Sequence, residues 1–490
     1  MSSGIPRCTR NLFGLVVVLL FGLATSARGA EIADPRAWMI DGPVFATGIQ
    51  DGVLYVGGAF NYIGPRTGCV VDVEQGSGRV LPAWPEVEGA INAVASDGAG
   101  GWYVGGSFLT VGGLARSRLA HFRADGSMDP WAADVDGVIH AVEVVGDRVL
   151  VGGEFRHVAG ADRRHLAAVD RLTGMLLPWN PSADRTVWAM SVTGGRLYVG
   201  GEFTSVGEKR RSRLAALDLE TGAATDWTPC VGECDSSEAY VLTLMAAGNA
   251  LYVGGSFSEA GGAPRRNACA FDAQTAELLP WAPELPYEVR ALAHSGGNII
   301  IGGSFGTFAN EWRCEIAAVD STTGGTFSFR VSADQDVRAF RVEGGTLYVG
   351  GSFFNVNGAR RLRAAAIDLA TGGLLPWAPN FAGPIVTLAS DGSNLIAGGT
   401  FESAGGVERL NLGAISLSTG EATDWAPRAD LQVDALLLAA RSVYVGGNFS
   451  EAGGRPRAHI AELDLDTGAA TNWNPGITAQ VAQADDGDAT

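Results

Sequence analysis

Lysine is almost missing from this chain of 490 residues: Lys209 stands alone beside 34 arginines. Basic residues of both kinds number 35 against 53 acids, giving a net charge of −18. A surface of that sign repels nucleic acid and anionic lipid, so neither is an expected partner. Histidine is scarce too. The six, His121, His140, His157, His165, His294 and His459, show no metal-ligand spacing and read as ordinary surface or core residues. Six cysteines are too few for a disulfide scaffold. After Ala24 no apolar run approaches the ~18 residues that a membrane-spanning helix needs.

The one long apolar run lies at the start. Arg7 and Arg10 precede Leu12 to Ala24, and small residues follow at Thr25, Ser26, Ala27, Gly29 and Ala30. That order is a secretory signal peptide over residues 1–30, with an uncut anchor as the alternative. It implies a secreted or periplasmic protein, and removal would take three arginines and no acids. Cys8 precedes the run, on the wrong side for a lipoprotein cysteine.

What is abundant is glycine, 69 residues, and much of it is periodic. Gly-Gly-x-Phe occurs nine times, with first glycines at Gly57, Gly105, Gly152, Gly200, Gly254, Gly302, Gly350, Gly398 and Gly446. The spacing is close to 48 residues except between Gly200 and Gly254, where an insertion carries Cys230 and Cys234. Trp84, Trp131, Trp179, Trp227, Trp281, Trp377, Trp425 and Trp473 keep the same period, with Phe329 in the sixth place. A period of this length with several short apolar runs per copy predicts four-stranded propeller blades.

Within copy 4, strand a is expected at Val187 to Val192, strand b at Arg196 to Phe203, strand c at Arg213 to Leu219, and a short strand d ending at Trp227. The runs are apolar on both faces, as in sheets covered on both sides. Glycine inside a strand costs about 0.5–1 kcal/mol relative to alanine, so the pair needs a close backbone approach or a bulge to explain it. The recurring phenylalanines, Phe60 to Phe449, read as packing between blades. The Asp-x-x-Thr-Gly segments at Asp170, Asp218, Asp320, Asp368 and Asp464 read as turns. An arginine recurs eleven residues after the first glycine, at Arg116, Arg163, Arg211, Arg265, Arg313, Arg361, Arg409 and Arg457. Either each fastens to backbone carbonyls or a strand-c aspartate, or together they ring a channel and bind an anion.

The consensus Leu-Tyr-Val-Gly-Gly-Ser-Phe, then Arg, then Leu-Ala-Ala-Leu-Asp-x-x-Thr-Gly, then Trp-x-Pro, resembles the delta-60 repeat of secreted bacterial β-propeller proteins. It is more loosely similar to fungal Rax-type cortical markers. The resemblance covers residues 38–475 and implies an exported propeller with no catalytic residues to carry over. It departs at Phe329, at Ala276 in place of the turn glycine, and at the insertion from Cys230 to Tyr240. Ala216-x-Asp218-x-x-Thr221-Gly222 through Trp227 is similar to the docking motif of quinoprotein dehydrogenases, but no off-pattern cluster supplies their calcium and quinone sites. A kelch-type copper-radical site also lacks its ligands.

The expected architecture is therefore all-β: a single propeller of about nine four-stranded blades over residues 31–478, or eight, followed by a disordered acidic tail at 479–490. Trp38 is expected to begin a strand beside the last blade. The expected role is an exported, non-enzymatic binding or interaction scaffold without cofactor or metal, its partner an unknown protein or glycan. A cell-envelope structural or adhesive role and a sugar-acting or quinoprotein-like enzyme are the alternatives. Irregularities should mark the contact site: Glu311, Trp312 and Arg313 in an off-phase loop are the candidate ligand contacts, and Cys230 with Cys234 the candidate disulfide. Cys69 and Cys269 read as small buried hydrophobes, Trp102 and Trp188 as core.

Overall fold

The computed structural model describes residues 38–475, apart from 41–43, 51–52, 59, 61, 66–68, 75–78, 82–84, 233–238, 284, 305–315, 326–330, 391–393, 402–403, 417–422 and 440. The segments expected to be a leader (1–30) and a tail (479–490) lie outside the described residues. Those described form strands, turns and loops without a helix, an all-β fold of propeller type.

Copy 3 shows the unit. Strand a (Ile139–Val145) turns at Gly146 into strand b (Arg148–Gly153), and b pairs on its other edge with strand c (Leu166–Asp170). A two-stranded hairpin, His157–Val158 with Ala161–Asp162, projects between b and c. The fourth strand is a correction: it shrinks to one bridge, Val169 to Leu176, with equivalents at Leu217–Ala224, Phe271–Leu278, Ile367–Leu374 and Leu463–Ala470. In several copies a proline stands directly before the tryptophan, at Pro130, Pro178, Pro280 and Pro376. It has no N–H to extend a ladder. Among the described residues only Val80–Leu81 makes a true fourth strand.

Both reasons offered for the glycine pair operate at once. The second glycine faces a bulge in strand a; in copy 3 the register slips between Ile139 and Ala141, and a Cβ on Gly153 would drive into the Val138 carbonyl. The first glycine accepts the strand-a side chains of the next sheet. A Cβ on Gly152 would meet Val187 at 2.9 Å and Met190 at 3.3 Å.

That second contact traces how the sheets follow one another. Gly105 faces Ile139, Gly152 faces Val187, Gly200 faces Val241, Gly254 faces Val289, Gly302 faces Val337 and Gly350 faces Ile385; Gly398 then faces Ile91, back in copy 2. Seven sheets thus form a closed circuit. The two remaining sheets stack on each other, with Gly57 against Val433 and Leu436 of copy 9.

A single circuit of nine or eight blades is not what this packing makes, and the cause is an exchange of strands between copies 1 and 8. The hairpin of copy 8, Ile385–Ser390 with Asn394–Gly399, pairs with strand c of copy 1, Val70–Glu74. The hairpin of copy 1, Val44–Gln50 with Val53–Gly58, takes strand c of copy 8, Leu412–Ser416. Circuit closure therefore joins the two halves of the chain. Trp38–Ile40 does not add to the last sheet as expected; it pairs with Tyr62–Pro65, beside Val407–Glu408.

Each core cluster spans neighbouring sheets, as with Tyr103 and Leu119 of copy 2 packed among Val149, Val151 and Phe155 of copy 3. Phe60, Phe108, Phe155, Phe203, Phe353, Phe401 and Phe449 are fully buried, each contributing about 1.5–3 kcal/mol. The tryptophans add a directional tie. The indole N–H of Trp131 donates to Asp170 O at 3.0 Å, that of Trp227 to Asp272 O at 3.0 Å and that of Trp281 to Asp320 O at 3.1 Å, each in the following sheet. Trp377 donates to Glu74 O at 3.1 Å across the exchange, so the closing joint uses the same fastening.

The recurring arginines among the described residues fasten backbone and do not ring a channel. Arg361 Nη1 donates to Arg360 O at 2.8 Å and its Nη2 to Leu375 O at 2.9 Å. Arg163, Arg211, Arg265 and Arg457 repeat both bonds within their own copies. In the Asp turns, Asp218 Oδ1 accepts from Thr221 N and Oγ1, both at 2.8 Å, and these bonds hold its carboxyl below the usual range.

Candidate functional site

The strand-a bulge takes one residue out of the alternation that sends its neighbours between sheets. In the seven sheets of the circuit those residues are Asn92, His140, Trp188, Leu242, Arg290, Arg338 and Val386. All seven line one cavity of about 630 Å³, joined by Glu202, Tyr240, Glu288 and Thr400. The repeat thus delivers one side chain per sheet to a common space, and no two of the first four are alike.

The walls differ chemically. Copies 3 and 4 supply an aromatic wall: the His140 ring lies over the Trp188 indole at 4.0 Å between centroids. His140 Nε2 shares a hydrogen bond with Glu154 Oε1 at 3.1 Å, and the indole N–H of Trp188 donates to Glu202 Oε1 at 3.2 Å. Burial pushes the His140 pKa down despite Glu154, so the ring is neutral near pH 7. Copies 6 and 7 supply a guanidinium wall. Arg290 donates to Glu288 Oε1, while Tyr240 Oη donates to Glu288 Oε2 at 2.9 Å. Arg338 lies 3.6 Å from Asp336, whose other oxygen accepts from Ser304 Oγ at 2.8 Å. Such a space can hold a small charged group against an aromatic face and fix its orientation by charge.

The sequence-predicted ligand contacts cannot be placed against this cavity. Glu311, Trp312 and Arg313 lie outside the described residues, as do Cys234 and Cys314, so the candidate bridge from Cys230 falls there too. Cys69 and Cys269 are both buried, and burial raises the Cys269 thiol far above its ordinary pKa. Trp102 is core as expected, but Trp188 is half-buried on the cavity and His140 belongs to the same wall, which corrects both readings. One signal was available. The column one residue past the leading Ile or Val of strand a reads Asn, His, Trp, Leu, Arg, Arg, Val through the seven copies, while its neighbours barely vary.

A family model described as outer membrane protein assembly factor BamB matches residues 66–328, more than half of the chain. This chain belongs to that family. Among solved structures, the BamB-type chain is similar to BamB from Moraxella catarrhalis at 17% identity, covering 73% of this chain and 92% of that one with a TM-score of 0.41. It is similar to the computationally designed Ika8 protein at 16% identity, covering 77% and 96% with a TM-score of 0.41. The WD40 propeller domain of Doa1 follows at 11% identity, covering 68% and 94% with a TM-score of 0.46. No curated protein matches the sequence.

Proposed function

We propose that this BamB-type chain is an exported, non-catalytic interaction scaffold of the cell envelope that engages its partner at the axial cavity. The observation that carries this reading is the convergence of seven bulge residues, of six types, from seven near-identical sheets. Recurring groups such as the arginines and tryptophans are consumed by fastening, whereas a single asymmetric partner requires a place where the copies diverge. Family membership supports an envelope role, since the description names an outer-membrane assembly factor. Residues 1–30 are the proposed leader, and Cys230 with Cys234 the proposed staple of the single insertion.

A photo-crosslinking residue placed at Leu242, in the cavity, and separately at Leu172, 86% exposed on an outer turn, tests the site in producing cells. A discrete protein adduct from position 242 that Trp188→Leu abolishes is the expected result. No adduct from 242, or the same adduct from both positions, rejects the axial site.

A further inference from the structure

The charges lining the axial cavity, taken with the carboxylates that touch its lining, do not balance, and the imbalance sits on one wall. On the guanidinium side each arginine has a carboxylate beside it, Glu288 for Arg290 and Asp336 for Arg338. On the aromatic side Glu154 meets only the imidazole of His140, and Glu202 only the indole N–H of Trp188. Among the described residues neither carboxylate has a lysine or arginine within ion-pair distance. Arg213, whose charge Glu202 feels, is buried behind the wall and feels Asp184 as well. With the imidazole neutral, the cavity and its contacts carry two more negative charges than positive ones, one beside the Trp188 indole and one beside the His140 ring stacked on it. An uncompensated carboxylate pair beside an aromatic face is complementary to an organic cation, which gains Coulomb attraction in a partly desolvated space and cation–π attraction from the ring. The acidic surface of the whole chain would steer the same sign of ligand toward it.

We propose that the axial cavity takes a primary ammonium or guanidinium group on a short aliphatic arm, as a basic side chain of the partner would present it, with the charge against Glu202 and Glu154 and the arm along Trp188. This rests on the axial site proposed above and names its ligand chemistry. The guanidinium wall serves as a counter-selector. It repels a second cation, so one basic group enters at a time, and its own carboxylates leave it little attraction for an anion.

The test is calorimetric titration of the full chain with N-acetyl-lysine methylamide, N-acetyl-arginine methylamide, the neutral N-acetyl-norleucine methylamide and glucuronate. The basic probes should bind at least about tenfold more tightly than the neutral one, a difference of about 1.4 kcal/mol. Glu202→Gln should remove most of that preference without moving the melting temperature, and Arg338→Gln should leave it intact or increase it. Equal binding of norleucine and lysine probes would overturn the assignment. So would glucuronate binding that Arg338→Gln abolishes, or no binding of either basic probe. If those outcomes accompany a partner adduct at position 242 that Trp188→Leu removes, the cation assignment fails alone; loss of the adduct as well removes the axial site with it.

Discussion

The circuit of seven sheets and the stack of two are built from the same repeat, yet they use its residues differently. In the circuit, strand c presents Ala168, Ala216, Ala270, Ala318 and Ala366 toward the following sheet, all buried. Copy 9 has Glu462 at that position. In copies 2, 4 and 5 the strand-b tyrosine donates onward: Tyr198 Oη reaches Ala273 O in the next sheet at 2.6 Å, with Tyr103 and Tyr252 doing the same. Tyr444 of copy 9 turns back to its own sheet, donating to Glu462 Oε1 at 2.9 Å, while Thr471 Oγ1 donates to Oε2 at 2.6 Å. Among the described residues no sheet follows Gly446, and Leu437 on strand a is 68% exposed. Glu462 thus gives copy 9 a polar, internally bonded face of the kind that capping units present in other repeat arrays.

Exchanging those two residues puts the comparison under the greatest strain. Ala216→Glu would bury an unpaired carboxylate between sheets 4 and 5, and about 3–5 kcal/mol of stability should be lost in a denaturant titration. Glu462→Ala removes two exposed-side hydrogen bonds and should cost about 1 kcal/mol. Comparable losses from the two would mean that copy 9 is covered after all. The tryptophans permit a second contrast of similar size. Trp281 is 1% exposed and tied to the next sheet, so Trp281→Ala should cost about 3–5 kcal/mol; Trp473, 39% exposed, should cost about 1 when truncated. Midpoints of urea unfolding would read both.

Much of the circuit could be read from the sequence because packing imposes the period: Gly-Gly is where two sheets and a bulge collide, and Trp is where one sheet ties to the next. The strand exchange could not. Copies 1 and 8 offer nearly equivalent strands c, so local pairing preferences do not say which hairpin takes which. The cavity escaped for the opposite reason. Its residues share a position and differ in type, and repeats are recognised by identity of type. A structural column escaped similarly: Arg118, His165, Arg213, Asn267, Arg363, Asn411 and His459 all adopt positive φ thirteen residues after the first glycine, and their different side chains hid the shared backbone.

Strand a carries a third contrast within the circuit itself. Glu143, opposite Leu150, has no partner among the described residues, and burial raises its pKa from 4.5 to about 7. The equivalent residue in copy 9 is the exposed Leu437. Because the folded protein holds this proton more tightly than the unfolded chain, the contribution is complete below about pH 4.5 and lost as pH rises through 7. Glu143→Gln should flatten that slope and leave the variant about 2–3 kcal/mol more stable than the parent above pH 7, discounted for partial exposure. Parallel melting curves at pH 5 and pH 8 would show it. A slope unchanged in the variant would assign the pH dependence to other groups.

The smallest effect compares a turn in the circuit with its counterpart in the stack. Gly468 occupies the Asp-x-x-Thr-Gly corner of copy 9 at φ 74, and a Cβ there would sit 3.0 Å from Pro427 N. Copy 5 places Ala276 at the same corner at φ 65. An alanine in the left-handed region pays a steric cost that glycine does not, partly offset because glycine leaves the unfolded chain more entropy to lose. Ala276→Gly should therefore stabilise by about 0.5–1 kcal/mol, and Gly468→Ala should destabilise by rather more, since it adds the contact with Pro427. If Ala276→Gly instead destabilises, the corner of copy 5 has relaxed around its methyl group, and the two turns are not equivalent despite their shared backbone.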